Sequence, residues 1–110
     1  MFLVGIPNPP YYMGSKGDNI KAAIMRTTKS HCGRFIISYQ DVGTIISAKD
    51  PAVAAFLKRV NDNDKIIQNG RRYVTASAVL EKLMNDCTLG FDVMKTQQFE
   101  YSIRCLRALV

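Results

Sequence analysis

The one histidine of the chain, His31, stands next to Cys32. A nucleophilic cysteine needs an imidazole within hydrogen-bond reach, and adjacent side chains on an extended chain point to opposite sides. The pair therefore reads as a surface loop. There is no second histidine and no Cys-x-x-Cys among Cys32, Cys87 and Cys105, so neither a metal-ligand set nor a disulfide framework is expected. Gly14-Ser15-Lys16-Gly17 has the composition of a phosphate-cradling loop without its spacing. It reads as a flexible loop in which Lys16 could touch a phosphate. The carboxylates Asp41, Asp50, Asp62, Asp64, Asp86 and Asp92 sit mostly at expected helix ends and turns, where local capping accounts for them. No catalytic constellation, metal site or cofactor site is expected, and the chain reads as a non-enzymatic protein.

The cations form a more informative pattern. Fifteen Lys and Arg oppose nine Asp and Glu, a net charge of +6. Lys16, Lys21, Arg26, Lys29 and Arg34 are opposed within their stretch only by Asp18, and Arg71-Arg72 precede Tyr73 directly. Cations attract phosphates at long range, while flat rings stack on unpaired bases. This combination points to single-stranded nucleic acid, RNA or DNA. Arg26, Lys29, Arg34, Arg71 and Arg72 would hold phosphates, Lys16 and Lys21 would add charge, and Tyr73, Tyr11 and Tyr12 would stack. An acidic protein surface would meet the same cations.

The elements that must position these residues follow from pattern. The 110 residues are 47% apolar, which suits one domain with one core. No apolar run approaches the roughly 20 residues of a membrane span. Phe2–Ile6 reads as a first strand ended by Pro7, not as a signal peptide, since a basic leader is lacking. Ile20–Arg26 fits either a helix capped by Asp18 or a strand. Phe35–Tyr39 and Gly43–Ile46 read as strands. Asp50-Pro51 opens a helix whose apolar face is Val53, Phe56, Leu57 and Val60. Asn69-Gly70 predicts a tight hairpin, and Thr75 or Ser77 caps a helix carrying Val79, Leu80, Leu83, Met84 and Cys87, with Gly90 as its stop. Phe91–Lys95 reads as a strand. Phe99, Tyr101, Ile103 and Cys105 alternate with Glu100, Ser102 and Arg104, the pattern of another, half-buried strand.

The expected fold is therefore α+β, a mostly antiparallel sheet with two to three helices packed on one face. A ferredoxin-like sandwich is one arrangement that fits. The reduced, odd cysteine set points to an intracellular, cytoplasmic setting. A second function class also follows: a protein-interaction module, such as a small regulator or inhibitor of a larger enzyme, self-associating through the apolar C-terminal strand at a sheet edge.

From Gly17 to Val74 the order of features resembles the RNA-recognition motif family. Phe2-Leu3-Val4-Gly5-Ile6-Pro7 is similar to its first-strand hexapeptide. Ile20–Arg26 and Gly33-Arg34-Phe35-Ile36-Ile37-Ser38-Tyr39 resemble its second and third strands. Ala52, Ala55, Leu57 and Asn69-Gly70-Arg71 resemble its second helix and the approach to its fourth strand. The resemblance implies a βαββαβ sandwich that stacks bases on its sheet. Arg34 and Ile36 stand where that family places its stacking aromatics, which suits phosphate contact better than stacking, and the chain beyond Val74 falls outside the match.

Overall fold

A computed structural model describes residues 5–30 and 32–109. Most of the expected first strand, Phe2–Ile6, and His31 lie outside the described residues. The Asn69-Gly70 dipeptide does what its chemistry allows. Both residues take positive φ, 54° and 75°, the requirement of a two-residue hairpin turn that follows the natural twist of its strands. It joins β3 (Lys65–Gln68) to β4 (Arg71–Thr75), with Gln68 opposite Arg71 and Ile67 opposite Arg72. β4 pairs on its other side with β2 (Phe35–Ser38), which pairs with the short β1 (Thr28–Lys29). The result is a four-stranded antiparallel sheet in the order β1-β2-β4-β3.

Among the described residues five α-helices accompany the sheet, more than the two to three expected, and a ferredoxin-like arrangement is not reproduced. α1 (Ser15–Met25) includes Ile20–Met25, resolving the helix-or-strand ambiguity as helix, with Arg26 as its C-cap. Asp18 lies in its first turn and is not the cap, which is Gly14. The Gly-Ser-Lys-Gly stretch is therefore helical from Ser15 onward and not a flexible loop. Gly17 has a packing reason: a Cβ there would lie 2.5 Å from the Pro9 Cβ and 3.2 Å from the Met13 Cβ.

α2 (Tyr39–Ile45) replaces the strand expected at Gly43–Ile46. Ser38 caps it, accepting from the Gln40 N–H at 3.3 Å. The buried residues Val42, Ile45 and Ile46 fall at i, i+3, i+4, a helical spacing that a short β-branched run conceals. α3 (Asp50–Arg59) begins as expected at Asp50-Pro51, although Lys49 is its N-cap and Asp50 its first residue. Thr75 caps α4 (Ala76–Cys87): its hydroxyl oxygen accepts from the Ala78 N–H at 3.3 Å and donates to Asp64 at 3.1 Å. Of the expected stripe on α4, Val79 and Leu83 are buried, whereas Met84 is exposed.

The largest correction is at the C-terminus. Residues expected to form two strands are a single helix, α5 (Val93–Arg107), capped by Asp92, which accepts from the Lys95 N–H at 2.8 Å. Its buried residues include Gln98, Phe99, Ser102, Cys105 and Leu106, positions i, i+1, i+4, i+7, i+8 of one helical face. Two of these are polar, so the apolar residues alone showed a misleading alternation. No edge strand exists here to pair with another chain.

One cluster unites the elements. Ile37 of β2 and Val74 of β4 meet Ile20 and Ile24 of α1, Val42 and Ile45 of α2, Phe56 of α3, Leu83 of α4 and Phe99 and Leu106 of α5. Each large apolar side chain buried there contributes about 1.5–3 kcal/mol. Ile36, which stands where the resembled family places a stacking aromatic, is buried as well, on the opposite side of the sheet from Ile37. No helix among the described residues is long and apolar enough to cross a membrane.

Two outcomes follow from this packing. Gly17→Ala should lower unfolding free energy by about 1–3 kcal/mol through overpacking against Pro9; urea unfolding would show it as a lower midpoint at unchanged slope, and an unchanged midpoint would contradict the close approach. Tyr101 is buried and donates to the Pro7 carbonyl at 2.8 Å. Burial, helped by the adjacent Cys105, pushes its phenol well above the ordinary value. Because the folded form holds the proton more tightly, this contribution is fully present below the unfolded pKa of about 10 and is lost as pH rises above it. Between about pH 9 and pH 11, the protein should lose more stability than its Tyr101→Phe variant; equal losses would contradict the assignment.

Candidate nucleic-acid interface

The structure sorts the cations read from the sequence by what each already holds. Arg26, at the end of α1, makes a forked ion pair with Asp41 of α2: Nη2 lies 2.8 Å from Oδ1, and Nε donates to both carboxylate oxygens at 3.2 and 3.3 Å. This hydrogen bonding and charge push its pKa above the ordinary arginine value. Arg34 donates to the Asn63 carbonyl at 2.9 Å and sits 3.7 Å from Asp64, tying the start of β2 to the turn before β3. Both arginines are thus engaged in holding elements together. Lys21 donates to the Asn8 side chain, and the Lys29 ammonium lies 5.8 Å over the Phe35 ring.

Three candidates remain unengaged. Arg71 and Arg72 are exposed immediately after the hairpin turn, and neither forms a salt bridge among the described residues. The alternation of β4 sends them to opposite faces. Arg71 shares a face with the half-buried Tyr73 and with Ile66 and Gln68 of β3, whereas Arg72 lies beside Ile67, which is 76% exposed. Lys16 is exposed in the first turn of α1. Tyr11 and Tyr12 form a short 3-10 turn before α1, exposed to 94% and 52%, with ring centroids 5.9 Å apart edge to face. The structure therefore brings Arg71, Arg72 and Tyr73 together on one rigid hairpin and removes Arg26 and Arg34 from the free set.

A second feature went unread in the sequence. A groove of about 860 Å³ opens between α1, α2, the α2–α3 turn, α4 and α5. Lys16, Lys49, Lys82 and Lys95 line it, against Asp50 and Asp86. Lys82 pairs with Asp86 at 3.2 Å, and Lys95 donates to the carbonyl of Ser47, a residue held at φ 55°. The helical spacing of Gln98, Phe99 and Ser102 was the available signal, because only a helix brings Lys95 and Gln98 to one wall.

Among the described residues no group of three or more His, Cys, Asp or Glu could hold a metal. Cys32, Cys87 and Cys105 are free, and burial pushes the Cys87 and Cys105 thiols upward, away from the reactive thiolate. Ile20–Met25, which the family resemblance matched to a strand, is helical. Comparison with protein-family models, with curated proteins and with solved structures finds no match to this chain.

Proposed function

We propose that the protein is a non-enzymatic binder of single-stranded nucleic acid, RNA or DNA, that holds the phosphate backbone with the tip of the β3–β4 hairpin. The observation that carries this reading is the pair of exposed guanidinium groups of Arg71 and Arg72, without a salt bridge among the described residues, beside the half-buried Tyr73 at the start of β4. A two-residue turn fixes where both cations project, so little ordering is lost when phosphates arrive. Arg71 and Arg72 contact successive phosphates from the two faces of the ribbon. The half-buried Tyr73 stands beside Arg71 on the same face of β4, and the exposed rings of Tyr11 and Tyr12 offer a stacking platform, each stacked base being worth about 1–3 kcal/mol. Lys16, Lys21 and Lys29 strengthen the long-range attraction of a +6 chain. Arg26 and Arg34 join only by giving up their present partners.

A second reading, a protein-interaction module, no longer rests on a strand edge. It rests on Met84, Leu89, Phe91, Val93 and Met94, all exposed around the α4–α5 turn. Apolar surface of this kind marks contact with another protein.

The test is fluorescence anisotropy of labelled single-stranded RNA and DNA oligonucleotides at several salt concentrations. Log affinity should fall linearly with log salt, by about 0.7 per phosphate neutralised. Replacing both Arg71 and Arg72 by Glu should weaken binding at least about tenfold and flatten the slope, with circular dichroism unchanged. Binding that ignores this double substitution would refute the hairpin assignment, and absence of binding at low salt would turn the search to a protein partner.

A further inference from the structure

The groove between α1, α2, α4 and α5 shares no residue with the sheet, so it is separate from the hairpin; Lys16 alone figures in both readings. Its volume of about 860 Å³ is in the range of small-ligand sites, which combine apolar walls with a few polar anchors. Its apolar lining comes from Ile20, Ile46, Leu89, Phe91 and Phe99. The Phe91 and Phe99 rings stand edge to face with centroids 5.3 Å apart, and Phe91 remains 44% exposed, so a flat ring could still add to this pair.

The polar lining is cationic. Lys16 and Lys49 form no salt bridge among the described residues and face a groove in which Lys82 already answers Asp86. Lys49 is also the N-cap of α3, a helix of ten residues whose first turn has no side-chain cap. Asp50 and Ala52 of that turn line the same groove. An uncapped helix start beside a free lysine favours a phosphate group. Asp50 opposes it only in part.

Gln98 supplies the second, separate indication. It is 5% exposed and lines the groove, yet none of the hydrogen bonds among the described residues involves its side-chain amide. The enclosed side-chain atoms without a partner among the described residues are the Thr27 and Ser30 hydroxyls, so the Gln98 amide keeps access to the groove it lines, where a polar partner can meet it. A primary amide both donates and accepts, which matches the edge of a nucleobase carrying a donor next to an acceptor.

We propose that this groove binds a nucleoside phosphate, with the phosphate at Lys16, Lys49 and the start of α3, the base against the exposed Phe91 ring with the buried Phe99 behind it, and the Gln98 amide reading the base edge. No bond is made or broken; the site is one of recognition.

Calorimetric titration of the full chain with AMP, GMP, CMP and UMP, with inorganic phosphate and the matching nucleosides as separate arms, tests this. At least one nucleotide should bind saturably, and its nucleoside should bind about tenfold more weakly. Lys49→Glu, at an exposed position, should weaken the nucleotide by a similar factor. Gln98→Met should weaken the nucleotide severalfold and change which base is preferred. The proposal is overturned if none of the four saturates at millimolar concentration. It is equally overturned if inorganic phosphate binds as tightly as the nucleotide, or if Lys49→Glu leaves binding intact. Should Gln98→Met fail to fold, the double variant Lys16→Glu, Lys49→Glu, on the surface, still decides. Loss of nucleotide binding in Arg71→Ala, Arg72→Ala instead would place the ligand on the hairpin and reject the groove.

Discussion

The hydroxyl of Ser102, fully buried, donates to the carbonyl of Ile45 at 2.9 Å, and much of the structure depends on the docking that this contact secures. Burying a hydroxyl without a partner is costly, whereas one bonded to a backbone carbonyl fixes position as well as energy. The contact pins α5 against the end of α2. Two further polar tethers act in the same sense: Lys95 to the Ser47 carbonyl, and Tyr101 to the Pro7 carbonyl. Between them, Phe99, Cys105 and Leu106 complete a core shared with α1, α2 and α4. With α5 so placed, its first turns become a wall of the groove, and the α2–α3 turn is held open at Ser47. The same helix thus closes the core and forms one wall of the groove.

Asp41 and Asp64 each bring a carboxylate to an arginine far away in sequence, joining α1 to α2 and β2 to the turn before β3. The forked Arg26–Asp41 geometry is the kind that defines relative orientation, although its exposure limits what it adds to stability to about 1 kcal/mol or less. The two arginines of the hairpin form no salt bridge among the described residues. Two surfaces with excess positive charge result, one convex at a strand turn and one concave among helices. Their shapes differ in what they can accept: an extended backbone in the first case, a compact ligand in the second.

The features that could be read from sequence were those whose chemistry is local. Asn69-Gly70 dictated its turn, Thr75 its cap, and Asp50-Pro51 the start of α3 to within one residue. The α+β class and antiparallel pairing followed from them. The misreadings have different causes. In α2 a short β-branched run hides the helical spacing of Val42, Ile45 and Ile46, whereas in α5 tertiary packing, not apolar periodicity, decides the buried face. Gln98 and Ser102 lie on the inner face of α5, so Phe99, Tyr101, Ile103 and Cys105 alone imitated a strand. The division of the arginines into engaged and free could not be seen either, since Asp41 and Asp64 come into range only in the folded chain. The groove needed five separate segments to meet, which no single stretch encodes.

The central claim is that the hairpin meets an extended polyanion at a place distinct from the groove. Amide proton–nitrogen correlation spectra, titrated with a short single-stranded oligonucleotide, test it most directly. Progressive shifts should concentrate from Ile66 to Tyr73, with the amides of the Ser47–Ala52 turn and of Gln98 changing little. Unmoved hairpin amides alongside shifts elsewhere on the surface would contradict it.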